Sequence, residues 1–188
     1  MFLYWLLARL LYFPSLLWNI VRQGGNRRWY DRIDNFVLLG ALPLRRHADE
    51  LVEKHNIKGV ISVNESYETR FFTFSPEEWA SRGVEYIRLD VREYFYAPSL
   101  LQISTALNMI ERLKKMDHNV YVHCKAGRGR SATLVACYLM KDQKLNPQEA
   151  VDLLKAKRPQ VKLGKFQWEA IREFYRQENE HGKWEYGK

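Results

Sequence analysis

From residue 36 onward the chain alternates short apolar runs with segments of helical period. Phe36-Val37-Leu38-Leu39 is unbroken and apolar, which predicts a strand over 36–39. A helix is expected over 44–55, then a β-branched strand over 59–63 closed by Asn64, a short helix over 76–81, and a third strand over 84–89. Ser99 followed by Gln102 forms a capping box. Behind it Ile103, Ala106, Leu107, Ile110 and Leu113 share one helical face. A short buried strand follows over 119–122. The stretch 131–141 is apolar nearly all round, as an interior helix would be. Asn146-Pro147-Gln148-Glu149 opens another helix with cap, first-position proline and box in place, and Arg158-Pro159 ends it. Trp168, Ile171, Phe174 and Tyr175 mark a last helix over 166–177. Strands separated by helices imply an α/β sandwich around a central sheet.

The first 21 residues follow another pattern. Leu, Phe, Tyr and Trp dominate, interrupted by Arg9, Pro14, Ser15 and Asn19, and no acidic residue precedes Asp31. A secretory signal lacks its small-residue cleavage site here, and a spanning helix of roughly 20 apolar residues is opposed by Arg9 and Pro14. A mitochondrial presequence or an amphipathic segment lying on a membrane fits better than a plain core element; an amphipathic segment packed on the domain is the remaining alternative. Gln23-Gly24-Gly25-Asn26 reads as a linker. The division expected is a targeting or membrane-associating segment over 1–28, a folded domain over 29–178 and a polar tail over 179–188.

Composition narrows the function. With 46% hydrophobic and 28% charged residues in 188, the chain can bury one sizeable core. The net charge of +8 favours acidic partners such as a phosphorylated substrate or an anionic membrane. Its cations are scattered and carry no nucleic-acid signature. Cys124 and Cys137 are too few for a disulfide framework and fit a reducing compartment or a reactive thiol.

The chemistry lies in His123-Cys124-Lys125-Ala126-Gly127-Arg128-Gly129-Arg130-Ser131, between the strand at 119–122 and the interior helix. Such a loop curls its backbone N–H groups into one concavity beside a helix N-terminus, and the two glycines permit the tight curl. An oxyanion fits there, held by the loop residues Lys125 to Arg130. Cys124 at its mouth would be favoured as a thiolate and attack phosphorus. Arg130 returns to the same concavity with a planar fork for two phosphate oxygens. Ser131 can donate to the sulfur, and His123 supports the loop from behind. The plainer alternative is a buried cysteine with surface cations after it. Cys124 and His123 lack a second ligand pair for a metal, and no cofactor motif is present. A proton donor is also required, and Asp90 and Glu93 are the candidates; each could equally be a solvated loop carboxylate.

The loop from Cys124 to Ser131 resembles the signature of the protein tyrosine phosphatase superfamily, dual-specificity branch. Arg28 to Asp34, Leu38 to Pro43 and Asn64 to Arg70 are similar to the mitochondrial subgroup that acts on phosphatidylglycerophosphate, on the route to cardiolipin. The resemblance implies a phosphatase-type sandwich with a mostly parallel sheet, Cys124 as nucleophile and Arg130 as phosphate clamp. It also implies an acidic loop at Glu65 to Glu68 beside the substrate, and no metal or cofactor. Two positions depart from the pattern: Ser66 replaces a glutamate, and Glu93 falls where the subgroup's general acid is an aspartate. The expected substrate is a phosphorylated glycerolipid, with Lys125 and Arg128 at the rim, at the matrix side of the inner membrane. A phosphoprotein phosphatase and a silent phosphate-binding module are the alternatives.

Overall fold

The computed structural model describes residues 12, 14, 16–18, 20, 21, 28–93 and 96–180. Five strands form one sheet: β1 (Tyr30–Arg32), β2 (Val37–Gly40), β3 (Ile57–Ser62), β4 (Glu85–Arg88) and β5 (Asn119–His123), in the order β1-β2-β5-β3-β4. Only β1 runs antiparallel to its neighbour; the other pairings are parallel, as the expected α/β sandwich requires.

Strand periodicity sorts the core into two layers. Val37, Leu39, Ile61, Val120 and Val122 face one cluster, and Leu38, Val60 and Tyr121 face the other. The first layer is covered by α4 (Leu100–Lys115), α5 (Arg130–Gln143), α6 (Pro147–Lys157) and α7 (Lys165–Glu180). The second is covered by α1 (Arg45–His55), through Ala48 and Leu51, and by α3 (Pro76–Ala80), through Trp79. Helix α5 is sandwiched between the sheet and α6 to α7, so eleven consecutive residues from Arg130 to Met140 are buried. Its apolar circumference is explained by that position.

The capping boxes read from Ser99 and Asn146 are both formed. Two elements were not expected: β1 is three residues long, and α2 (Ser66–Thr69) is a single turn. Both are too short for a period to register. Of the N-terminal segment, Tyr12, Leu16 and Ile20 are helical and pack with Leu42 and Tyr67, while Leu17, Trp18 and Val21 are exposed. The linker at 23–26 and the tail from 181 lie outside the described residues; residues 179 and 180 belong to α7.

Candidate active site

Strand β5 and helix α5 hold the loop 124–129 between them, at the C-terminal edge of the sheet. The carbonyls from residue 123 to 129 all accept from outside the cradle. His123 O accepts from Val63 N at 2.8 Å, Lys125 O from Leu42 N at 3.3 Å and Arg128 O from Lys162 N at 2.9 Å. Ala126 O and Gly127 O accept from the Arg158 guanidinium at 3.2 and 2.8 Å. Gly129 O accepts from Thr133 N at 2.9 Å, and the His123 ring lies 3.4 Å from Cys124 O. With its carbonyls engaged outward, the loop turns its amides toward the concavity, where an anion satisfies them. Gly127 sits at φ +65 against the backbone of Gly40, where any Cβ would collide.

Arg158 is the strut behind this arrangement. It is 1% exposed and forms an ion pair of 2.6 Å with Asp31 of β1, which is also buried. Neither residue stands out in the sequence as part of the site, because they are 127 positions apart.

Cys124 is buried, and Ser131 Oγ donates to its sulfur at 3.1 Å. Burial alone would push the thiol up. The Arg130 charge, the Ser131 hydroxyl and the amides of Ser131 and Arg128 outweigh it, so the thiol lies below its ordinary value. His123 is stacked on Tyr121 with ring centroids 5.7 Å apart. Burial, with the Arg130 charge adding to it, lowers its pKa to about 3, and it stays neutral at pH 7.

Arg130 donates from Nη1 to Glu68 Oε2 at 2.7 Å and to Val91 O at 2.8 Å, and from Nη2 to Glu68 Oε1 at 3.0 Å. Glu68 has no exposed surface and also accepts from Asn64 Nδ2 at 2.9 Å and Glu65 N at 2.8 Å. The acidic loop expected beside the substrate therefore lies beneath the arginine. Glu68 aims the guanidinium, and Glu65 caps the turn that presents Glu68.

Lys125 and Arg128 were both expected at the rim. Both line the cleft, but the Lys125 side chain is nearly buried and its ammonium lies 2.8 Å from Glu93 Oε1. The two candidate proton donors separate cleanly. Glu93 lines the cleft over Cys124, whereas the Asp90 side chain is 62% exposed, pairs with Arg88 at 3.1 Å and does not line it. The cleft has a volume of about 420 Å³ and reaches from Cys124 and Arg130 to Lys162 and Gln167, two residues without a motif to mark them. Cys137 is a separate, fully buried thiol of α5 whose burial pushes its pKa up.

Residues 42–177 match the family model of the dual specificity phosphatase catalytic domain. The chain is 40% identical over 175 residues to the mouse (Mus musculus) protein named phosphatidylglycerophosphatase and protein-tyrosine phosphatase 1, covering 91% of each. It is 42% identical to the human (Homo sapiens) protein of that name, covering 91% of this chain and 87% of that one. Among solved structures, the crystal structure of PTPMT1 in complex with PI(5)P superposes with a TM-score of 0.80 at 38% identity, covering 82% of this chain and 99% of that one.

Proposed function

This chain belongs to the dual specificity phosphatase family, and on that footing we propose that it hydrolyses the phosphomonoester of phosphatidylglycerophosphate through a phosphocysteine intermediate on Cys124. The observation that carries the chemistry is the convergence of Ser131 Oγ and the Arg130 charge on a thiol already held below its ordinary value. The choice of lipid is supported by the relatives named phosphatidylglycerophosphatase at 40 and 42% identity.

In the first step the Cys124 sulfur forms a bond to phosphorus while the ester P–O bond breaks, and the leaving glyceryl oxygen takes a proton from Glu93. In the second step Glu93 takes the proton of a water that attacks phosphorus. The S–P bond breaks and Ser131 stabilises the departing thiolate. Phosphate is released, and loop amides with Arg130 hold its equatorial oxygens throughout. Glu93→Gln is expected to lower kcat on the lipid by about 100-fold, and much less on an aryl phosphate whose leaving group needs no proton. Asp90→Asn should stay within about twofold on both. The reverse ranking would move the acid role to Asp90.

The place of reaction is an anionic membrane surface, which we assign to the matrix side of the mitochondrial inner membrane. The net charge of +8 and the exposed Leu17, Trp18 and Val21 of the N-terminal segment support the membrane surface. Among the described residues no helix is long and apolar enough to cross a membrane. The relatives' names include protein-tyrosine phosphatase, which makes phosphopeptides the competing substrate. A panel of phosphatidylglycerophosphate vesicles, phosphoinositide vesicles and phosphopeptides decides the matter. The expected result is a kcat/KM at least about tenfold higher on the first, a difference of about 1.4 kcal/mol. Faster phosphopeptide turnover would overturn the lipid assignment.

A further inference from the structure

The buried face of the N-terminal segment does not pack on arbitrary core. Tyr12 is fully buried, its hydroxyl donates to Glu68 O at 2.8 Å, and its ring meets Tyr67 edge-on at 5.5 Å. The Lys125 ammonium lies 4.8 Å from the centroid of the Tyr12 ring. Leu16, 2% exposed, packs on Leu42, whose amide holds the Lys125 carbonyl. The neighbours of this face are thus the residues that set the active site: Glu68 orients Arg130, Lys125 holds Glu93, and Leu42 tethers the loop.

We propose that the described residues of the N-terminal segment complete the active site, with Tyr12 as a positioning residue that fixes Lys125 of the phosphate loop and Glu68 beside it. An ammonium with a carboxylate on one side and an aromatic face on the other has two electrostatic walls. Without the second wall it can leave Glu93 and swing toward solvent. The Tyr12 hydroxyl meanwhile pins the backbone of Glu68, so its loss loosens Arg130 against Cys124. A segment serving only to tether the enzyme to a membrane would need neither contact. The inference rests on the phosphocysteine reading above, but not on the choice of lipid.

The test uses the full chain and a soluble alkyl phosphate, whose leaving group needs the Glu93 proton and whose turnover does not depend on membrane binding. Tyr12→Leu keeps an apolar side chain, smaller than the native one, and removes both the aromatic face and the hydroxyl. It is expected to lower kcat at least about tenfold with KM within about twofold. It should also raise the pH midpoint of Cys124 alkylation by iodoacetamide, a readout that requires no turnover. Tyr12→Phe restores the ring without the hydroxyl, so it should recover the part of the rate lost through Lys125 while the alkylation midpoint stays raised. In a Lys125→Met background the Tyr12→Leu effect should shrink, because the pair acts as a unit. Wild-type kcat and an unmoved alkylation midpoint in Tyr12→Leu would overturn the proposal, whatever the melting temperature. So would a kcat effect of undiminished size in the Lys125→Met background. A wild-type chain that hydrolyses nothing would sink the proposed function, and the alkylation midpoints would still decide the role of Tyr12.

Discussion

Cys124→Ser lowers turnover by roughly four orders of magnitude or more while leaving the fold and phosphate binding in place. The magnitude is that of removing a nucleophile from a site whose other groups remain. Serine is smaller than cysteine and close to it in shape, so the buried position loses little packing. The amides, Arg130 and Ser131 still present themselves to a dianion. What is lost is the anion itself: the charges and donors around Cys124 bring a thiol below its ordinary value, and a hydroxyl, far less acidic, stays protonated there. The check is kcat on a soluble phosphomonoester together with inorganic phosphate binding by calorimetry. The wild-type thiol supplies a pH test of the same claim. Because its pKa is depressed, the thiolate persists as pH falls below the range of about 8.5 where a free cysteine titrates. Iodoacetamide should therefore alkylate Cys124 at a pH where Cys137 and free thiols have stopped reacting. A serine variant with wild-type turnover would end the phosphocysteine mechanism.

The loop was legible in the sequence because its parts are contiguous. A strand, two glycines, a cysteine, an arginine six positions on and a buried helix all fall between 119 and 141, and the cradle follows from local backbone geometry. The sheet was legible for a related reason: buried parallel strands are written as short apolar runs. What holds the loop in place was not. Asp31 and Arg158 meet only because β1 lies beside β2 and the end of α6 returns behind the cradle. Tyr12 reaches Glu68 across 56 positions. Glu68 shows the same limit differently. Resemblance brought it to the site but set it beside the substrate, whereas it lies fully buried with its charge turned to Arg130. Asp90 and Glu93 are three residues apart at the end of β4, and no pattern says which side chain turns inward. Pairing with Lys125 rather than with Arg88 decides it.

Arg130→Lys should cost about 1000-fold in kcat, the upper range for one preorganised charge stabiliser, and should destabilise the fold as well. A guanidinium carries five N–H donors in a fixed fork. Here three go to Glu68 and Val91, which leaves two for the equatorial oxygens of the phosphoryl group. A lysine has three donors on one nitrogen and cannot face Glu68 and the substrate together. It keeps one cationic nitrogen for the fully buried Glu68 carboxylate in place of two, whereas Arg130→Met would leave that carboxylate without its charge partner. Breaking such a pair by removing one partner costs about 3–5 kcal/mol, against a total stability of about 5–15 kcal/mol for an ordinary domain. The two losses can be separated. Glu68→Gln added to the uncharged Arg130→Met removes the stranded carboxylate, so the melting temperature should recover in part over Arg130→Met alone. Turnover should not recover, since the fork is still missing. If the single Arg130→Lys variant kept a rate within tenfold of wild type, the clamp would lie elsewhere. If the double variant regained turnover along with stability, the damage would have come from the buried carboxylate, and Arg130 would be a structural residue that happens to lie beside the thiol.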